Sequence, residues 1–106
     1  MIENGAVINE KDESCWTPLH LAAQYDHLSV VDYLVNQKAD INAKDKDDWT
    51  PLHHAANSGY FNVVEYLINQ KADMNTINYR GETPFGLAKR TRKSDVVKFL
   101  NSKGGQ

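Results

Sequence analysis

The hydrophobic residues of this chain recur at helical spacing in short segments that are separated by polar turns. Leu52, Ala55 and Ala56 fall on one face of a helix, and a second apolar stripe runs from Val63 to Ile68. Apolar residues at intervals of three and four are typical of amphipathic helices. The pattern predicts a helix, a tight turn, a second helix and then an extended loop.

Local signals mark where these helices begin and end. The hydroxyl of Thr50 can cap the first helix, and Pro51 follows at the first helical position, where its missing N–H has no cost. Gly59 is expected to end this helix, because glycine accepts the positive φ of a helix terminus. Asn62 is predicted to cap the second helix.

The same unit returns every 33 residues, with Thr-Pro pairs that begin at Thr17, Thr50 and Thr83. Aligned from Asp12 and Asp45, the first two 33-residue units share 18 identities, including W-T-P-L-H, A-A, V-V and N-Q-K-A-D. A period of this length indicates stacked copies of one supersecondary unit, in which each copy covers the apolar face of its neighbour. The sequence therefore predicts an all-α solenoid.

The register divides the chain into four parts. Residues 4–9 match residues 37–42, which end a unit, so the first part is read as the tail of a truncated preceding unit. On this basis we expect the chain to be a piece of a longer array. The parts are a tail at 1–11, and units at 12–44, 45–77 and 78–106, the last being cap-like.

Composition fits a small domain inside the cell. No apolar run approaches the ~20 residues that a membrane span requires, and the N-terminus lacks the pattern of a signal peptide. The single cysteine, Cys15, suits a reducing compartment. We expect a cytoplasmic location, with a nuclear location or secretion as an effector left open, and a chain that is monomeric or part of an array.

Charge is polarised along the chain. Residues 1–77 carry 12 acidic and 5 basic side chains, net −7, whereas residues 78–106 carry 2 acidic and 7 basic side chains, net +5. The tract Lys89-Arg90-Thr91-Arg92-Lys93 holds four of these bases. It is read as a solvated cap of the last unit, with nucleic-acid binding or nuclear import as the alternative.

No pattern of catalytic or metal-binding residues accompanies these units. The chain has no nucleophile elbow, no phosphate-binding glycine loop and no paired metal ligands, so no catalytic, cofactor or metal site is predicted. Asp45, Asp47 and Asp48 are expected to form a solvated acidic tip.

The motif T-P-L-H-x-A-A, followed by V-V, L and A-D-x-N, resembles the ankyrin repeat over almost the whole chain. The resemblance implies L-shaped units with antiparallel helix pairs and projecting loop or β-hairpin fingers. It also implies a non-enzymatic interaction module or scaffold that binds a protein partner through its finger tips and first helices. A structural spacer within a longer array of such units is the alternative. In this family the imidazoles at the positions of His20 and His53 bond to the preceding threonine and to neighbouring loop backbone.

The chain departs from the family pattern at several turns. Lys38 and Lys71 stand where the family usually has glycine, and Asp26 and Arg92 stand at the position of Gly59. Because these positions need a left-handed backbone, we predict positive φ at Lys38 and Lys71.

Fifteen residues occupy the positions that the resemblance assigns to the binding side. Trp16 and Trp49 are either partner contacts or packing for the Thr-Pro turns. The surface runs from acidic to basic, which suits a partner segment that is basic toward the first unit and acidic toward the last. The fifteen are Glu13, Ser14, Trp16, Gln24 and Tyr25, then Lys46, Asp47, Trp49, Asn57 and Ser58, and lastly Tyr79, Arg80, Glu82, Arg90 and Thr91.

Overall fold

The computed structural model describes residues 8–106, which form six α-helices and no strand. Most of the predicted tail at 1–11 lies outside the described residues. The all-α solenoid predicted from the sequence is confirmed. The helices are α1 (Pro18–Gln24), α2 (Leu28–Asn36), α3 (Pro51–Ser58), α4 (Phe61–Asn69), α5 (Pro84–Arg90) and α6 (Ser94–Ser102).

The first helix of each pair begins at a Thr-Pro pair. The hydroxyls of Thr17, Thr50 and Thr83 accept hydrogen bonds from the backbone N–H three residues later. These bonds satisfy an N–H that would otherwise lack a partner at the start of the helix. Helix α3 ends as predicted at Gly59, whose φ is 77°.

The prediction that Asn62 caps the second helix is wrong. Helix α4 already begins at Phe61, and neither Tyr60 nor any other side chain caps it. The turn is so tight that the N–H of Tyr60 donates to the carbonyl of Ala55 at 3.0 Å. Asn62 therefore lies inside the helix and on its exposed surface.

The helices pack in two layers that run along the stack. Helix α3 packs between α1 and α5, and α4 packs between α2 and α6. The core contains residues at equivalent positions of every unit, and each is at most 3% exposed: Leu34, Leu67 and Leu100, and the alanines Ala22, Ala55 and Ala88. Burying a leucine contributes about 2 kcal/mol, and the alanines allow helices to approach closely.

The predicted left-handed residues are confirmed. Lys38 and Lys71 have φ of 70° and 72°, and Gly104, at the equivalent position of the last unit, has φ of 92°. Asp26 and Arg92, which replace Gly59, have φ of 60° and 61°. The turn geometry is thus preserved where the glycine is not.

A row of asparagines joins the loops of neighbouring units. The side-chain oxygens of Asn9, Asn42 and Asn75 accept hydrogen bonds from the backbone N–H groups of residues 40, 73 and 106, at 2.7, 2.9 and 3.1 Å. Each bond spans 31 positions and ties one loop to the next, so it fixes the spacing of the stack.

Replacing Lys71 by glycine should stabilise the domain by up to about 1 kcal/mol, because glycine adopts positive φ without steric cost. Urea unfolding would measure the change. Lys98→Gly in the exposed part of α6 is the matched control and should lose about 1 kcal/mol. A clearly destabilised Lys71→Gly variant would contradict the argument.

Replacing Ala55 by leucine should destabilise the stack by about 1–3 kcal/mol, because the alanine is fully buried where helices meet. The midpoint of urea unfolding should fall accordingly. An unchanged midpoint would mean that the site has room for the larger side chain.

Candidate functional site

A five-residue turn precedes each helix pair and forms the finger of the unit. The turns are 12–16, 45–49 and 78–82, and in each the first N–H donates to the carbonyl of the fifth residue at 2.9–3.0 Å. The side-chain oxygen of Asp12, Asp45 or Asn78 accepts two further N–H groups of its own turn. The fingers are therefore rigid although they form no strand.

Neighbouring fingers are joined by single backbone hydrogen bonds. The N–H of Lys46 donates to the carbonyl of Ser14 at 3.0 Å, and the N–H of Tyr79 donates to that of Asp47 at 3.1 Å. One bond for each pair of fingers is too few for a β-ladder, so the fingers are loops rather than β-hairpins among the described residues.

Asp45 does not belong to a solvated acidic tip, and that prediction is wrong for this residue. Its side chain is 4% exposed, and its Oδ2 lies 3.0 Å from Nε2 of His54, whose N–H donates to it. Asp47 and Asp48 are exposed as predicted. The difference arises because Asp45 uses its carboxylate to hold its own turn and a helix of the core.

His54 stands where the other units have leucine, at Leu21 and Leu87. Burial lowers the pKa of His54 to about 4, although the hydrogen bond from its ring to Asp45 acts in the opposite direction. The imidazole is therefore neutral at pH 7. The Asp45–His54 pair was missed from the sequence, where its only signal was that His54 breaks the repeat.

Two indole rings flank the imidazole of His54. Its ring centroid lies 4.5 Å from that of Trp16 and 4.8 Å from that of Trp49. Each tryptophan also packs on the histidine of its own unit, His20 or His53, at 5.8 and 5.9 Å. The tryptophans are half-buried. They pack against the base of the fingers and still offer surface to the solvent.

His20 and His53 tie each first helix to the following finger. Nδ1 of His20 accepts the N–H of Thr17 at 3.1 Å, and its Nε2–H donates to the carbonyl of Trp49 at 2.8 Å. His53 repeats both bonds, with Thr50 and with the carbonyl of Glu82. Burial lowers the pKa of both histidines.

One group of possible metal ligands occurs among the described residues. Ligand atoms of His20, Asp45 and His54 lie within 4.8 Å of one another. Both ring nitrogens of His20 and the Nε2 of His54 are engaged in hydrogen bonds within the fold. A metal ion would have to replace these bonds, so the geometry favours a structural role for the cluster.

A groove of about 380 Å³ runs along the finger bases and the ends of the first helices. Nine of the fifteen predicted site residues line it, together with Asp45 and His54, which were not predicted. Its lining is Trp16, Gln24, Asp45, Asp47, Trp49, His54, Asn57, Tyr79, Arg80, Glu82 and Arg90.

The other six predicted residues lie outside the groove. Glu13, Ser14 and Lys46 are exposed on the finger tips, and Tyr25 is exposed beside His27. Ser58 and Thr91 are half-buried at the ends of the first helices. The hydroxyl of Thr91 donates to the carbonyl of Leu87 at 2.8 Å.

Several polar groups of the groove are satisfied by each other. Arg90 Nη2 lies 3.1 Å from Glu82 Oε2. The Asn78 amide donates to Glu82 Oε1 at 2.9 Å and, with Arg90 nearby, lowers the pKa of that carboxyl. Arg80 lies over the ring of Tyr79, 5.5 Å from its centroid, and its Nε–H donates to the Tyr79 hydroxyl at 2.9 Å.

Three polar side chains of the groove are not used by the fold. The carboxylate of Asp47 and the carboxamides of Gln24 and Asn57 form no hydrogen bond or ion pair with any other described residue. Their capacity for hydrogen bonding is therefore left to water or to a ligand.

The bases of the tract 89–93 have different environments. Lys89 lies over the ring of Phe85, and Arg90 pairs with Glu82. The methylenes of Lys93 lie so close to Gly59 that a Cβ there would be 2.7 Å from Lys93 Cδ. Arg92 is exposed in a turn with φ of 61°. The bases of the tract therefore have different neighbours and do not act as one group.

Stacked helix pairs with fingers and a groove along one side define a helical-repeat protein. A family model for ankyrin repeats in many copies matches residues 1–35, 20–68 and 52–100. The chain belongs to the ankyrin repeat family. A search of curated proteins returned no match. Ankyrin repeats are generally protein–protein interaction modules and are typically non-enzymatic.

None of the helices in residues 8–106 has the length and apolar character needed to cross a membrane.

Because burial lowers the pKa of His54, the domain is expected to lose stability in acid. A folded pKa of about 4 for His54, below its unfolded value of 6.5, gives a stabilisation that is complete above pH 6.5. It is lost as the pH falls toward 4, by about 2–3 kcal/mol. Urea unfolding between pH 7 and 4 would measure the decrease.

The double variant Asp45→Asn/His54→Leu provides the control, since it reproduces the Asn78/Leu87 combination of the third unit. Its stability should depend less on pH than that of the wild type. An identical pH dependence in both proteins would show that His54 does not cause the loss.

Proposed function

We propose that the groove binds a segment of a partner protein, basic where it meets the first two fingers and acidic where it meets the third. The observation that carries this proposal is the exposed charge along the groove: the carboxylate of Asp47, which forms no hydrogen bond with another described residue, is followed by the exposed guanidinium of Arg80, and the two groups attract each other. Glu13 adds an acid at the first finger tip. Complementary charge of this kind selects and orients a partner.

Rigidity supports the proposal as well. Each finger is held by bonds within its turn and by a bond to its neighbour, so little further order is required on binding. Trp16 and Trp49 are half-buried, and Tyr79 is 60% exposed. Aromatic side chains on a rigid support are typical of the residues that dominate binding energy.

We further propose that binding, rather than a reaction, is the activity of the chain. Its support is that His20, His53 and His54, the buried bases of the site, hold the fold together. Nucleic-acid binding is not proposed, since Lys89, Arg90 and Lys93 each contact another part of the fold. A location inside the cell belongs to this proposal, with the free thiol of Cys15 in its favour.

The test is a charge exchange across the groove. The double variant Asp47→Lys/Arg80→Glu keeps the net charge and should fold normally, because both side chains are exposed. Affinity capture with mass spectrometry should show that proteins retained by the wild type are lost from this variant. Tyr79→Ala should weaken binding of the same proteins about tenfold or more, with an unchanged melting temperature.

Lys98→Glu, on the exposed surface of α6 and outside the groove, is the matched control and should retain the wild-type partners. If the charge-exchanged protein captured the same partners with equal affinity, the groove would not be the binding surface. Trp49→Ala is less informative, because Trp49 also packs on His53 and His54 and its loss would weaken folding.

A further inference from the structure

The side chains of Gln24 and Asn57 are the two carboxamides of the groove, and both lack a hydrogen-bond partner among the described residues. They stand at equivalent positions, 33 residues apart, near the ends of the adjacent first helices α1 and α3. Both are half-buried, both line the groove, and neither forms a hydrogen bond with another described residue. Arg90, the third member of the row, is already paired with Glu82.

A carboxamide offers a donor and an acceptor side by side, as a peptide group does. It can therefore form two hydrogen bonds with the main chain of a ligand, whatever the side chains of that ligand are. We infer that Gln24 and Asn57 bind the main chain of an extended partner segment that lies in the groove, opposite the indoles of Trp16 and Trp49. This inference rests on the proposed function and specifies the conformation of the partner.

The spacing of the two side chains fits an extended chain. Packed helices lie about 8–10 Å apart, and an extended chain rises about 3.3 Å per residue. Two carboxamides on adjacent helices therefore meet peptide groups about three residues apart. The two equally spaced carboxamides would set the register of the bound segment. The opposite charges of Asp47 and Arg80 would set the direction in which its chain runs.

A helical partner fits these groups less well. The main-chain N–H and C=O groups of a helix already bond to each other, so they have nothing to offer the two carboxamides. Covering Gln24 and Asn57 without giving them partners would cost binding energy. An extended segment has free main-chain groups and satisfies both side chains.

The experiment uses the whole chain and a displayed library of linear 12-residue peptides of random sequence. An enriched peptide is synthesised, and each of its peptide nitrogens is methylated in turn to remove one main-chain donor. We expect two positions about three residues apart at which methylation weakens binding about tenfold. Gln24→Ala and Asn57→Ala should each weaken binding about three- to tenfold, and each should abolish the effect of methylation at one of those positions.

Asn62→Ala, an exposed amide on α4 outside the groove, is the control and should bind like the wild type. The inference is overturned if no linear peptide is enriched, if the bound peptide is helical by circular dichroism, or if both alanine variants bind within twofold of the wild type. If Tyr79→Ala lost binding while Gln24→Ala and Asn57→Ala bound fully, main-chain recognition by the carboxamides would be refuted. The proposal that the groove binds a protein segment would still hold. Peptides insensitive to Tyr79→Ala and to the Asp47/Arg80 exchange would refute the groove as the binding site.

Discussion

The hydrogen bond from a histidine of one unit to a backbone carbonyl of the next finger is the interaction on which the rest of the structure depends. His20 reaches the carbonyl of Trp49 at 2.8 Å, and His53 reaches that of Glu82 at 2.9 Å. Each imidazole also accepts the N–H of the threonine that starts its own helix. One side chain thus fixes the beginning of a helix and the position of the neighbouring finger. Because finger and helix are joined in this way, stacking the core also builds the groove.

The second unit adds a connection that is absent from the first and third units within residues 8–106. Asp45 holds its finger through Oδ1 and the ring of His54 through Oδ2, and that ring lies between the indoles of Trp16 and Trp49. A buried polar pair is tolerated at a leucine position because both partners are hydrogen-bonded. The consequence is that the two tryptophans of the groove are positioned by a residue of the core.

Much of the fold could be predicted because the residues that start and end the helices recur in each unit. The start and the end of α3 depend on local interactions of Thr50, Pro51 and Gly59, so the nearby sequence is enough to predict them. The same holds for the positive φ of Lys71. Asn62 was misassigned as a cap because α4 begins two residues sooner than the pattern indicated. Turn closure depends on how tightly the chain folds back, which sequence spacing does not specify.

The site was predictable in outline only. The resemblance to the ankyrin repeat placed fifteen residues on one side of the units, and nine of them line the groove. Asp45 was mistaken for a solvated acid, since its side chain bonds to His54, nine residues away, and the His54 ring in turn packs on Trp16 of the preceding unit. Side-chain contacts between neighbouring units cannot be predicted from the sequence of one unit alone. They appear in the sequence only where a position such as His54 departs from its equivalents.

Positions that do not repeat fall into two physical groups. His54 and Arg90 find partners within the chain, so the fold constrains what can replace them. Gln24, Asn57 and Asp47 have no such partners, and their replacement would leave the folding contacts intact. Unused polar side chains also occur elsewhere on the surface, as at Asn62 and Asn69, but Gln24, Asn57 and Asp47 lie together in one groove beside the aromatic residues. This grouping of unused hydrogen-bonding side chains, more than the identity of any one residue, supports the proposal that the groove binds a partner.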